Sequence, residues 1–203
     1  MTPSKPQAAE RVLRLAAVTL VVGGAALVLL IALGAFDPRP LGPPAGSDRP
    51  GPLSLAVRGE MLRPQPWPFA ATPARRSIHL TAAYVAGEAD SGYGLALGEQ
   101  GALTVAVSPL GEVAVWEATA GAAPRYWLPW QPWPHVRPGA ATNELWLDVD
   151  TTGGPTRVTA WINRERLWQG EVAPLSGTVA LWLGSFGGPV TIDFAALAWY
   201  GDD

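Results

Sequence analysis

From Ser77 to the end of this chain, apolar and polar residues alternate in short runs separated by Gly, Pro or Asp. A period of two sends successive side chains to opposite faces of a strand, so each run can bury only one face. Leu145, Leu147 and Val149 oppose Glu144, Trp146, Asp148 and Asp150; Val158, Ala160 and Ile162 oppose Arg157, Thr159, Trp161 and Asn163. Val179, Leu181 and Leu183 oppose Trp182, and Val190, Ile192 and Phe194 oppose Thr191 and Asp193. The pattern predicts strands near 77–86, 92–98, 102–108, 112–118, 144–150, 157–163, 166–172, 178–184 and 190–200. Aliphatic faces on so many strands need a second sheet to cover them. The expected fold is therefore all-β, a two-sheet jelly-roll sandwich, preceded by a single transmembrane α-helix.

That helix is expected at Leu15–Phe36, a run of 22 residues without a charge. As an α-helix it would span about 33 Å, close to the thickness of a bilayer's hydrocarbon core. Lys5, Arg11 and Arg14 precede it against a single acid, Glu10. This bias predicts a signal-anchor with a cytoplasmic N-terminus and a translocated, periplasmic or extracellular C-terminal domain. A cleaved signal peptide is the rival, with Ala32-Leu33-Gly34 as the cleavage region, but the apolar run exceeds a normal signal core. Ala16, Thr19, Gly23 and Ala26 form a stripe of small residues through which another membrane helix could pack.

The expected organisation is a cytoplasmic segment over 1–14, the transmembrane helix over 15–36, a proline-rich linker over 37–52 and an extracytoplasmic β-sandwich over 53–203. Six prolines fall in residues 37–52, which favours a semi-rigid spacer. Leu53–Leu62 is expected to form one edge strand. Residues 119–143 break the alternation and are expected to form a long aromatic loop, with Tyr126, Trp127, Trp130 and Trp133 among Pro129, Pro132 and Pro134.

The chain has no Cys, only two His and a formal charge of −3. Thiol chemistry, disulfides and Cys-based metal sites are excluded, and no basic nucleic-acid footprint exists. His79 and His135 lack partners in any catalytic spacing, and no phosphate loop or nucleophile-elbow motif occurs. Asp148–Gly153 echoes the start of a calcium loop, but its twelfth position is Thr159 rather than Glu. No metal and no cofactor are expected.

Gly92–Leu97, Asn143–Leu145 continuing to Ala160–Leu167, and Gly177–Leu181 with Val190–Tyr200 resemble strands of the concanavalin A-like (laminin G-like) jelly rolls, in particular 3-keto-disaccharide hydrolase-like domains. The resemblance covers roughly 77–201 and implies that fold; Arg164 stands where the resembled hairpin carries Gly. Catalytic jelly-roll glucanases place carboxylates as E-x-D-x-x-E, whereas Glu144, Asp148 and Asp150 are spaced E-x-x-x-D-x-D. The resemblance therefore does not imply glycoside hydrolysis.

The expected function is a non-catalytic, membrane-anchored accessory or scaffolding subunit. Its sandwich would pack on a larger membrane complex, an electron-transfer complex being one such host. The alternative is an envelope carbohydrate-binding module. Candidate contacts for a protein partner or sugar are Trp127, Trp130, Trp133, Trp146, Trp161, Trp182, Asp148, Asp150 and Asn163. Trp146, Trp161 and Trp182 are expected to share one surface.

Overall fold

A computed structural model describes residues 5–35, 37–69, 71–99, 102–118, 121–175 and 177–201. Parts of the expected terminal segments, of the transmembrane run (Phe36) and of the aromatic loop (119 and 120) lie outside them. Two units are separated between Arg39 and Pro40. The first contains helix α1, Lys5–Ala32, which is long and apolar enough over Ala9–Ala32 to cross a membrane. The small residues Ala16, Thr19, Gly23 and Ala26 are all exposed on it.

The second unit is a sandwich of two antiparallel sheets. Sheet A contains β1 (Pro44–Asp48), β2 (Gly51–Leu55), β4 (Arg75–Gly87), β9 (Asn143–Asp150), β10 (Thr156–Ile162), β11 (Glu165–Val172) and β13 (Val190–Gly201), in the order β1-β13-β4-β9-β10-β11 with β2 also on β13. Sheet B contains β3 (Gly59–Pro64), β5 (Ser91–Leu97), β6 (Leu103–Val107), β7 (Glu112–Glu117), β8 (Arg125–Pro132) and β12 (Val179–Ser185), in the order β3-β12-β5-β6-β7-β8.

The alternating aliphatic positions meet between the sheets. Leu147, Val158, Ala160, Ile162, Ile192 and Phe194 from sheet A and Leu95, Val105, Val113, Leu181 and Leu183 from sheet B are fully buried. Tyr93 meets Phe194 edge-on across the interior, and its hydroxyl accepts a hydrogen bond from Asn143 Nδ2 at 3.0 Å. A buried phenol is thus supplied with a polar partner.

Three segments differ from expectation. Residues 37–52 are not simply a spacer, because β1 and the start of β2 pair there with β13. Their prolines sit at a sheet edge, where a missing N–H is tolerated. Leu53–Leu62 is not one strand: its two ends belong to β2 in sheet A and β3 in sheet B. Residues 125–132, expected within a loop, form β8 at the free edge of sheet B. The expected hairpin after β10 does form, with Asn163 and Arg164 at φ 50° and 75°. Two successive residues at positive φ match a type I′ turn, built here without glycine.

Sheet B is closely strung where Gly94 faces Ala106. A Cβ on Gly94 would overlap the Val105 carbonyl and come within 2.8 Å of the Ala106 Cα. Backbone cannot yield as a side chain does, so Gly94→Ala should cost about 2–4 kcal/mol. Urea unfolding followed by tryptophan fluorescence checks this.

Candidate functional site

Both sheets carry aromatic side chains on the face turned away from the core. On sheet A, pairing aligns Ser77 with Asp148, and His79 with Trp146, which in turn faces Trp161. Asp148 is the centre of this group. Its Oδ1 accepts hydrogen bonds from the Ser77 hydroxyl (2.5 Å) and Trp146 Nε1 (2.7 Å), and its Oδ2 accepts one from Trp161 Nε1 (3.0 Å). Burial pushes the Asp148 carboxyl above the usual carboxylate range, and the three donors pull it back. The Ser77 oxygen in turn accepts the Leu41 N–H at 2.7 Å, which fastens residue 41 to this face. The His79 ring packs at a tilt against Trp146 (3.5 Å between ring centres) and Tyr200 (4.6 Å). Its Nε2 is buried without a hydrogen-bond partner among the described residues, and burial lowers its pKa to about 4. Indoles and carboxylate here satisfy one another, leaving Asp148 little accepting capacity for a ligand.

The other expected contacts are engaged structurally or turned inward. Asp150 accepts hydrogen bonds from Thr152 N and Oγ1, which hold its carboxyl below the usual range, and lies 3.6 Å from Arg75. Asn163 donates to His135 O (2.6 Å) and Asn143 Oδ1 (2.8 Å) and accepts from Glu144 N (2.9 Å), so it locks the hairpin to the neighbouring loop. Trp127 and Trp133 pack against the main core, with Trp127 beside Trp168 and under the Arg125 guanidinium.

Trp182 does not join Trp146 and Trp161. It lies on the outer face of sheet B, because β12 and β9 belong to different sheets. There Trp116, Trp130 and Trp182 pack with Phe186 over Ala96, Ala106, Ala114 and Ala180. The ring centres of Trp116 and Trp182 are 5.0 Å apart, and Trp130 lies 6.0 Å from Phe186. Trp116 and Trp182 are buried, Trp130 and Phe186 half-buried, and Tyr126 exposed. The rings lie low because Gly92 leaves room: a Cβ there would reach Trp130 Cη2 at 2.7 Å and Trp182 Cζ3 at 2.9 Å. Two register shifts between β7 and β8, on either side of the Val115–Leu128 pair, let Trp127 and Leu128 both pack on the core while Trp130 joins the outer cluster.

Two clefts flank Trp130 and Phe186, which line both. One, of about 220 Å³, is walled by Trp116, Tyr126, Trp182 and Pro124 and carries Glu60, whose Oε2 accepts from Trp182 Nε1 at 3.3 Å. The other, of about 270 Å³, is lined by Asp90, Ser91, Ser108 and Glu112. An aromatic floor with polar groups at its ends can hold a flat, partly apolar ligand and fix its orientation. Sequence reasoning singled out Trp130 and Trp182 but missed Trp116, Phe186, Glu60, Asp90 and Glu112. The available signal was Gly92, Gly94, Ala96, Ala106 and Ala114 at alternating positions, a strip of small residues able to seat rings.

Neither a protein-family model nor a curated protein sequence matches this chain. Among solved structures, one of botulinum neurotoxin type C, from work on cell entry and its interaction with two ganglioside molecules, aligns at 8% identity and TM-score 0.48 over 80% of this chain and 42% of that one. The CBM40 of the Ruminococcus gnavus IT-sialidase bound to alpha2,6 sialyllactose aligns at 14% identity and TM-score 0.49, over 79% and 94%. The binding domain of botulinum neurotoxin DC in complex with rat synaptotagmin II aligns at 9% and 0.48, over 80% and 42%. The chain thus spans about two fifths of the neurotoxin chains it matches.

The His79 environment sets a pH dependence. Its folded pKa lies below that of an unfolded histidine, so its contribution is present above about pH 6.5 and is lost as pH falls towards 4. Allowing for partial exposure, wild-type protein should lose roughly 1–2 kcal/mol by this route across that window. His79→Phe should flatten the slope in urea titrations run at several pH values.

Proposed function

We propose that this chain is a membrane-tethered carbohydrate-binding β-sandwich that presents the aromatic groove of sheet B to a saccharide. The observation that carries this reading is the groove itself: Trp130, Phe186 and Tyr126 are accessible above buried Trp116 and Trp182, with carboxylates and hydroxyls at both ends. The C–H faces of a pyranose are apolar and stack on indole and phenyl rings, while its hydroxyls donate to carboxylates. The rings' support by glycine and alanine means the surface is formed before a ligand arrives, which limits the ordering cost of binding.

Helix α1 serves as the tether, with Lys5, Arg11 and Arg14 on the cytoplasmic side and the sandwich outside. The concanavalin A-like group is the fold family we assign to the sandwich, and its task is binding rather than catalysis. Glu144, Asp148 and Asp150 support that assignment of role: each is occupied by a protein partner, Arg164, the Ser77–Trp146–Trp161 set and Thr152 respectively. The accessory-subunit reading retains the small-residue stripe of α1 as its support, and the sheet B groove favours the saccharide.

Full-length protein in detergent micelles, applied to a glycan array, should retain a defined set of glycans. Trp130→Ala should weaken that binding at least tenfold with little change in unfolding midpoint, since Trp130 is half-buried and outside the main core. Absence of glycan retention, together with co-purification of a stoichiometric membrane partner, would return the accessory-subunit reading to first place.

A further inference from the structure

The outer face of sheet B holds a third cleft, of about 360 Å³, larger than either cleft beside Trp130. Leu62, Pro64, Gly98 and Ala180 make it apolar, with Thr178 and Glu99 completing the lining. Strand geometry joins it to the groove. On β3 the groove residue Glu60 is followed two positions on by Leu62, and on β12 Trp182 is preceded two positions back by Ala180. Residues two apart on a strand share a face and lie about 7 Å from each other. Pairing sets Leu62 opposite Trp182 and Pro64 opposite Ala180, so the aromatic groove and the apolar cleft share a boundary. Exposure is a separate observation. Leu62 is left 39% exposed, and Pro64 beside it is exposed too. Glu99 is the one ionisable group among the described lining residues, so the cleft holds no cation to receive a phosphate or carboxylate.

We infer that this cleft takes an uncharged alkyl or acyl chain carried by the saccharide in the groove, so that the ligand class is an amphiphilic glycoconjugate. The inference rests on the saccharide reading and extends it. Methylene groups that leave water for Leu62, Pro64 and Ala180 add affinity in proportion to the apolar area they cover. A single molecule that fills groove and cleft together loses its translational and rotational freedom only once, so the second contact adds to the first at little further cost. A polar saccharide alone would leave the apolar lining wet, and an anionic substituent would meet Glu99 without a compensating cation. Helix α1 fits the same class: a chain held at a bilayer by such a helix works where amphiphiles are concentrated.

The test is a calorimetric titration of the full chain in phosphatidylcholine nanodiscs with methyl and n-hexyl β-cellobioside, after subtraction of empty nanodiscs to remove partitioning into lipid. The hexyl glycoside should bind about tenfold tighter, the size expected when part of its longer chain leaves water. Two unlike changes should bring the ratio of the two affinities to about one: Leu62→Gln, which removes an apolar wall, and Thr178→Trp, which fills the cleft. The ratio is the readout, so any effect of either substitution on the groove cancels, and circular dichroism shows which variants are folded. A ratio near one in the wild-type chain, with or without measurable binding, overturns the inference and leaves the cleft to an apolar side chain of a protein partner. So does a tenfold ratio that survives in a folded variant. The glycan array decides the saccharide reading separately: glycans retained there without a hexyl advantage sink the inference alone. A hexyl advantage with an empty array leaves an alkyl site and overturns both the saccharide reading and the glycoconjugate class.

Discussion

The sandwich hangs on the last long strand. β13 runs from Val190 to Gly201, with β4 hydrogen-bonded along one edge and β1 and β2 in succession along the other. Its inward residues, Ile192, Phe194, Leu197 and Trp199, supply much of the sheet A side of the core. Without β13, β1 and β2 would have no sheet to join, and the Leu41–Ser77–Asp148 chain of hydrogen bonds would lose the neighbouring Tyr200 that walls in His79. Sheet A therefore owes its breadth, and the Tyr200 ring beside His79, to one element.

The two outer faces use tryptophan in opposite ways. On sheet A the indole N–H groups of Trp146 and Trp161 converge on a single carboxylate, and the group is closed by hydrogen bonds that the protein itself supplies. On sheet B the rings rest on glycine and alanine, and what they present outward is π-surface edged by acids. A polar cluster that satisfies itself stiffens a surface, whereas aromatic faces edged by acids leave apolar and polar groups side by side and open to solvent. The distinction comes from hydrogen-bond accounting, since composition alone makes the two faces look alike.

Periodicity made much of this legible. For β9, β10 and β13 the alternating Leu, Val and Ile positions identified the buried face residue by residue, and the same parity put Trp146 and Trp161 outside. Parity says which side a side chain takes but not which sheet its strand joins, so Trp182 was grouped with the wrong neighbours. Leu53–Leu62 failed for a related reason: a chain that crosses between sheets within a few residues keeps no continuous pattern. β8 was hidden by Pro129 and Pro132, which an edge strand tolerates and an interior strand does not. The carboxylates of the groove, Glu60, Asp90 and Glu112, come from three separate segments, with no short-range spacing to betray them.

The pairing of Pro44 with Tyr200 also has a kinetic meaning. It joins the first strand of the domain to the last, the longest loop closure this sandwich contains, and such closures are entropically late. The N-terminal strand must wait, unpaired, until β13 has been synthesised. During that interval an exposed edge is open to mispairing, and the prolines and charges of residues 44–52 are well suited to keep it unattractive to other strands.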